Sequence, residues 1–488
     1  MASIDELRLE RLKKLEILTK KGINPYPVLC DRDLSIADTL EDFSRLSKRR
    51  RTLAIAGRVM AKREHGGSVF LDCDDGTGAM QAYIKKDNIG NEAYELFKNT
   101  IDVGDFISVR GKLFSTKRRE KTIEAHSWQM LAKSLRPLPD KWHGISNVEE
   151  KFRKRYLDIL MSPDVLERFK IRARMLQELR ALLDKDSFIE VETPMLQHQA
   201  GGAAALPFKT HHNALDMDLY LRIAPELYLK ELLIGGMSRV YEIGRSFRNE
   251  GIDVTHNPEF TSIEAYAAYS TPEEEQKRIE KIIKSLARKI LGKKELVYGE
   301  HAVSIGATFK KISYASVLKR FALIGEKEFD DKDALRQKAQ QFGIPVREHE
   351  SAEKILDNIF KKVCRPKIIE PTFITDYPIH SAPLAKKKEG SATLIDRFQL
   401  VIAGMELANG FAELNDPIDQ KERFIVQEKN RASGDGEAHV KDDAFLEALE
   451  YGMPPATGWG IGIDRLIMFF TNSPNIRDII IFPILRPK

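Results

Sequence analysis

Arg239-Val240-Tyr241-Glu242-Ile243-Gly244-Arg245-Ser246-Phe247-Arg248-Asn249-Glu250-Gly251 leads through a loop containing His256 into Pro258-Glu259-Phe260-Thr261-Ser262-Ile263-Glu264-Ala265-Tyr266. Two strands joined by a loop are expected. In the second, Phe260, Ser262, Glu264 and Tyr266 project from one face, and Ile263, Ala265 and Ala267 from the other. An aromatic ring, a carboxylate and a phenol in line make a poor core. One face is therefore read as functional and one as packed, with a solvated edge strand as the competing reading of this segment alone.

Two further segments have the same character. In Gly404-Met405-Glu406-Leu407-Ala408-Asn409-Gly410-Phe411-Ala412-Glu413-Leu414-Asn415-Asp416, Asn409, Phe411 and Glu413 share one parity and Glu406 has the other. For Glu406 to join them the strand must bulge, and the expected place is near Gly410. In Gly458-Trp459-Gly460-Ile461-Gly462-Ile463-Asp464-Arg465-Leu466 the glycines fall at period two, so one face is bare backbone that a flat ligand can approach. Isoleucine at 463 rules out the dinucleotide fingerprint. A packing strand running into a helix is the alternative for this segment.

Outward from these segments, Ser162-Pro163 supplies an N-cap and a first-turn proline. Leu166, Phe169, Ala173, Leu176, Leu179 and Leu183 then form a helical stripe, read as core or interface. Ile189 and Val191 begin a strand that ends at Pro194, and strands around 239–248, 259–268 and 397–415 predict a mainly antiparallel sheet with helices. Roughly residues 312–366 read as a helical insertion. Upstream, period-two segments at Leu53–Ala61, Val69–Cys73, Met80–Ile84, Ile107–Leu113 and Lys121–Leu131, with turns at Gly66-Gly67 and Asp75-Gly76-Thr77-Gly78, suit a small five-stranded barrel. The expected organisation is an N-terminal helical arm over 1–52, with Leu7, Leu12, Leu15 and Leu18 as its stripe. A barrel at 53–135, a linker at 136–150 and a catalytic domain at 151–488 follow. The class is α+β, with an all-β barrel in front.

Lysine plus arginine exceed aspartate plus glutamate by only 78 to 73, so no global basic field marks a nucleic-acid binder. Any RNA contact must be local, and the run Lys48-Arg49-Arg50-Arg51 is by itself an ordinary solvated face. Cys30, Cys73 and Cys364 show no paired spacing, which points away from zinc and disulfides and toward a reducing compartment. No secretory signal is read at the start, and the apolar stretches fall short of a membrane span. A soluble cytoplasmic enzyme is expected.

Three stretches of the chain resemble, in order, motifs 1, 2 and 3 of the class II aminoacyl-tRNA synthetases: motif 1 ends at Pro194, motif 2 is the Phe247-Arg248-Asn249-Glu250 strand, loop and return strand, and motif 3 is Gly458 to Arg465. Gly201-Gly202-Ala203-Ala204-Ala205, Ala224-Pro225-Glu226-Leu227-Tyr228-Leu229-Lys230 and the Asn409–Asp416 run look like the lysine-specific branch. The resemblance covers nearly the whole chain, barrel included, and makes that barrel an oligonucleotide-binding (OB) one. It implies activation of L-lysine by ATP to lysyl-adenylate and pyrophosphate, then transfer to the 3′ end of tRNA(Lys), by a homodimer that uses Mg2+.

Family placement makes Arg248 and Arg465 the catalytic cations. It puts Arg248, Glu250, His256, Asn257, Phe260, Glu406 and Arg465 around ATP, with adenine between Phe260 and Arg465. Glu264 and Glu413, with the Tyr266 hydroxyl, would receive the lysine ammonium tip. Glu226, Gly202 and Asn409 would position the other end, with Phe411 and Gly460 completing the pocket. These acids argue against the aspartate and asparagine relatives, whose substrates need a cation. Glu406 is the metal carboxylate, and Gln399 stands where the branch usually has a second glutamate, which implies weaker metal affinity. Leu206 and Ala382 also depart from the family. In the barrel, Arg63, Phe70, Gln81 and Glu120 fall at anticodon-reading positions, with Phe70 outward if Val69 and Leu71 fill the interior. Two other classes stay open: a non-catalytic RNA-binding paralogue, expected to lose Arg248 or Arg465, and a ligase that lysylates protein, expected to lack the barrel.

Overall fold

The computed structural model describes residues 3–49, 51–139, 145, 147–348, 350–432 and 439–487. Arg50 of the basic run and residues 140–144 and 146 of the expected linker lie outside them. The chain divides into two compact units, Met1–Ile145 and Ser146–Lys488.

In the first unit the strands Leu53–His65, Ser68–Asp74, Ala79–Lys85, Lys121–Ala132 and Phe106–Ser115 close, in that order, into a barrel. Strict alternation puts Val69, Leu71, Cys73, Met80, Ala82 and Ile84 inside, and Phe70, Gln81 and Tyr83 at half-exposed outer positions. The helix Ile4–Lys20 docks on this barrel, with Leu18 fully buried in the barrel core. Between the expected leucines on its stripe lies Arg11, whose guanidinium donates to the carbonyls of Val103, Ser134 and Arg136 at 2.9–3.1 Å. A second helix, Asn91–Thr100, was not expected. Its Tyr94 and Phe97 fill the same core, because residues three apart share a helix face.

The second unit is built on an eight-stranded sheet. Its order is Lys310–Ser313, Thr372–Pro378, Leu394–Ile402, Met405–Ala412, Ala456–Gly462, Glu259–Ala268, Arg239–Phe247 and Ile189–Glu190. The interior pairs are antiparallel and both edge pairs are parallel. One face packs Ile263, Ala265, Ala267, Trp459 and Ile461 against the helices Pro163–Lys185 and Pro272–Leu291. The seam of the first of these is Met175, Leu179 and Leu183, whereas Ala173 of the expected stripe is exposed. Helices Tyr314–Ala322, Lys332–Gln341 and Ala352–Ile359 form the insertion between the two parallel edge strands at the far side of the sheet.

Candidate functional site

The opposite face of the sheet, where Val240, Tyr266 and Phe411 pack into a second core with the helix Glu226–Ile234, carries the candidate site, and strand register fixes its layout. Glu242, Glu264, Gly460, Asn409 and Gln399 lie in one row across five strands, and Val240, Tyr266, Gly458, Phe411 and Arg397 in the next. The glycines leave a trough between Glu264 and Tyr266 on one side and Asn409 and Phe411 on the other. A Cβ at Gly458 would run into the Glu413 carboxylate and the Tyr266 ring, so that position is closed to any side chain. Gly202 holds φ +84°, and a Cβ there would sit 2.9 Å from Glu226 Cβ.

Glu406 reaches this face through a bulge at Leu407, not near Gly410: Leu400 pairs with Ala408, but Val401 pairs with Glu406. Skipping one residue reverses the parity and sends Leu407 into the core on the other side. Gly410 is glycine for a different reason, since a Cβ there would lie 2.5 Å from Phe398 and 2.8 Å from Trp459.

Glu226 and Glu413 are buried and Glu264 is half-buried around this trough, and the fixed ammonium among them is Lys230. It lies 2.7 Å from Glu226 and 2.5 Å from Glu413. Sequence placement grouped Glu264 with Glu413 and set Glu226 apart. In the structure Lys230, one helical turn beyond Glu226, ties Glu226 to Glu413, while Glu264 accepts from the Tyr266 hydroxyl at 3.1 Å within the field of Arg248. Lys230 stays charged between its two carboxylates. Glu226 and Glu413 compete for it, and burial drives these two and Glu264 toward neutrality, Glu264 up to about 8 with Glu226 adding to the rise. Neither oxygen of Glu413 has a well-formed hydrogen bond among the described residues. With all three acids ionised, the set would be two positive charges short.

At the mouth, Arg248 is aimed by its backbone, whose N–H donates to Pro258 O at 2.8 Å, and its guanidinium lies 5.0 Å from the centre of the Phe260 ring. Asp464 accepts from Thr261 N–H at 2.8 Å and from Arg172 at 2.6 Å, pinning the first turn of the Ile463–Phe470 helix to the Glu259–Ala268 strand. The next residue, Arg465, is thereby fixed over the sheet. Its Nη2 donates to His256 Nε2 at 2.8 Å, and because arginine only donates, the His256 proton is on Nδ1, directed to Asp253 at 2.8 Å. Burial and the nearby guanidiniums of Arg365 and Arg248 lower the Arg465 pKa. Glu250 is exposed in the connecting loop, and the buried Asn257 donates to Glu259 O at 2.6 Å while its Oδ1 has no partner among the described residues.

The chain is similar in sequence to known proteins along nearly its whole length. The family described as class II tRNA synthetases (D, K and N) matches residues 147–486, and that of OB-fold nucleic acid binding domains matches 53–131. The lysine–tRNA ligase of Carboxydothermus hydrogenoformans is 46% identical over 485 residues, covering 99% of each chain. That of Enterococcus faecalis is 44% identical over 491 residues, covering 100% of this chain and 98% of its own, and that of Moorella thermoacetica is 46% identical over 484, covering 99% and 98%. The chain belongs to the lysine–tRNA ligase family of class II synthetases.

Tyr377 donates to Gln399 Oε1 at 2.8 Å, with both side chains buried, so the one oxygen Gln399 could offer is already accepting. Among the described residues no group of three or more His, Cys, Asp or Glu side chains is placed to hold a metal. Glu406 has Arg365 Nη1 3.6 Å from its carboxylate. These residues suit a cation that arrives with a nucleotide, not one caged by the protein.

In the barrel unit, Phe70 stacks on Tyr83 with centroids 4.6 Å apart and planes 29° from parallel. Arg63, opposite Phe70 in register, makes a paired contact with Asp72 at 2.7 and 2.9 Å. Gln81 accepts from Thr122 at 3.0 Å, and Glu120 is exposed within the field of Arg63. Tyr83 and Asp72 were missed from sequence, although period two places them on the same outer face as Phe70.

Proposed function

We propose that this lysine–tRNA ligase divides its reaction between the two units, with lysine activated in the trough of the sheet and the anticodon read on the outer wall of the barrel. What carries the substrate assignment is the charge deficit of the trough. Lys230 serves Glu226 and Glu413, and Glu264 beside them has the Tyr266 hydroxyl; with all three acids ionised the set lacks two positive charges, and L-lysine brings two. Its carboxylate would then lie toward Arg248. An oxygen of that carboxylate attacks the α-phosphorus of ATP, the bond to the β-phosphate breaks, and pyrophosphate leaves. Negative charge grows on the α-phosphate oxygens as this happens, and Arg248 and Arg465 are the groups aimed to stabilise it. A hydroxyl at the tRNA 3′ end then attacks the acyl carbon and releases AMP. Mg2+ bound to ATP would offset phosphate charge, with Glu406 as its protein ligand.

ATP–pyrophosphate exchange measured with each of the twenty amino acids should respond to lysine alone. Exchange with aspartate or asparagine equal to that with lysine would overturn the assignment.

A homodimer fits the exposed apolar residues of the motif 1 region. Ile189, Met195 and Leu196 are 44–52% exposed along and beyond the edge strand. No helix among the described residues is long and apolar enough to cross a membrane, and we place the activity in the cytoplasm on the cysteine pattern.

On the barrel, the Phe70–Tyr83 stack is an aromatic platform for an unpaired base, with Arg63, Gln81 and Glu120 around it. Removing one stacking surface costs about 1–3 kcal/mol. Phe70→Ala is therefore expected to raise the KM for tRNA(Lys) about tenfold, while lysine-dependent exchange without tRNA is unchanged. Equal losses in both half-reactions would mean that Phe70 serves the barrel's stability.

A further inference from the structure

Arg365 sits in the short helical turn Arg365–Lys367 that ends the insertion, and nothing in the activation scheme above uses it. Its Nη1 lies 3.6 Å from Glu406 Oε2, while its Nε is buried with no hydrogen-bond partner among the described residues, as is the Nε of Arg248. Arg465 feels both of these guanidiniums. Three arginines thus converge where the acids are Glu406 and Asp253, and Asp253 is also engaged by His256. A half-buried cluster with more guanidiniums than carboxylates is matched to a polyanion.

The residue across from Asn409 on the neighbouring strand does not offset this imbalance. Gln399 brings no charge, and its oxygen is committed to Tyr377. A carboxylate there would draw a divalent cation, which would in turn draw phosphate. Without it, a guanidinium can supply the positive charge directly, in a fork suited to phosphate oxygens.

Resting on the ligase reading of the site, we propose that Arg365 is a substrate-positioning residue of this chain, binding the outer phosphates of ATP and the departing pyrophosphate beside Glu406. The insertion would then do more than cover the sheet edge, since its last turn would complete the nucleotide site.

Calorimetric titration of the full-length protein with ATP in EDTA isolates this contact from any metal. Arg365→Ala should weaken metal-free ATP binding about tenfold, the loss expected of a charge-assisted contact. AMP, which lacks the outer phosphates, and lysine should bind as they do to the parent protein, which also shows that the variant is folded. Arg365→Lys should keep part of the ATP affinity. If Arg365 served only to neutralise Glu406, its removal would cost nothing in a Glu406→Gln background. The tenfold loss is expected to persist there, and its disappearance would overturn the inference. So would equal ATP affinity in the parent and Arg365→Ala proteins while lysine binding is intact. Failure of the parent protein to bind either ATP or lysine would instead sink the ligase reading on which the inference rests.

Discussion

Glu413→Gln should raise the lysine KM by about thirtyfold or more, since leaving a desolvated ammonium short of a countercharge costs about 2–5 kcal/mol. The glutamine fits the same space and keeps an acceptor, so the loss reports charge. Lys230 keeps Glu226 as its partner at 2.7 Å, which protects the fold of the helix it sits on. Glu264→Gln should behave alike, with Tyr266 still able to donate to the amide oxygen.

The pocket's electrostatics add a signature that a packing role would not produce. Glu264 is pushed up to about 8 by burial and then by Glu226, so near pH 7 it is largely protonated in the ligand-free protein. A carboxyl group whose folded pKa lies above its unfolded value of about 4.3 favours the fold at low pH. That contribution is lost as pH rises from there through about 8. Lysine requires the charged form, so its affinity should strengthen toward pH 8 and its binding near pH 7 should release a proton. Calorimetry in buffers of different ionisation enthalpy measures that proton, and Glu264→Gln should reduce it. Unchanged lysine KM in both variants, with no proton released by the parent, would remove the acids from substrate recognition.

How much of this was legible in advance follows from which constraints are local. The two faces of Glu259–Ala268 could be read because alternation holds whatever lies across the sheet; Ile263, Ala265 and Ala267 are indeed fully buried. The bulge was legible as a necessity and not as a location. Parity demands one extra residue between Glu406 and Asn409, but whether the core takes Leu407 or tolerates a kink at Gly410 depends on Phe398 and Trp459, which come from other strands.

Lys230 had a visible signal, the four-residue step from Glu226. On an exposed helix that step marks an ordinary surface pair, and only burial against Glu413 makes it the pocket's internal cation. The Arg172–Asp464 contact and the approach of Arg365 to Glu406 join residues far apart in the chain, and no local pattern announces either. In the barrel, the missed helix Asn91–Thr100 carries its apolar spacing openly, but it interrupts a run of strands where a loop was the simpler expectation.

Arg248→Ala is expected to lower the rate constant for lysine activation by about 10²–10³, the usual cost of removing one preorganised group aimed at developing charge. Several features fix that aim before any substrate arrives. The preceding residue, Phe247, donates its N–H to Arg222 O at 2.9 Å, Arg248 itself donates to Pro258 O at 2.8 Å, and the guanidinium rests against Phe260. Arg222 is in turn buried and paired with Glu242, so the base of the loop is rigid. Because the guanidinium need not reorganise as charge builds on the α-phosphate, its benefit falls mainly on the transition state, and kcat should suffer more than the KM for ATP. Arg248→Lys separates charge from geometry: an ammonium supplies the charge without the planar fork, so it should recover only part of the loss. Single-turnover formation of lysyl-adenylate, followed at saturating lysine and ATP, measures the step without interference from tRNA. A fall of less than about tenfold, or one confined to KM, would place Arg248 in ground-state binding and leave Arg465 as the group that meets the developing charge.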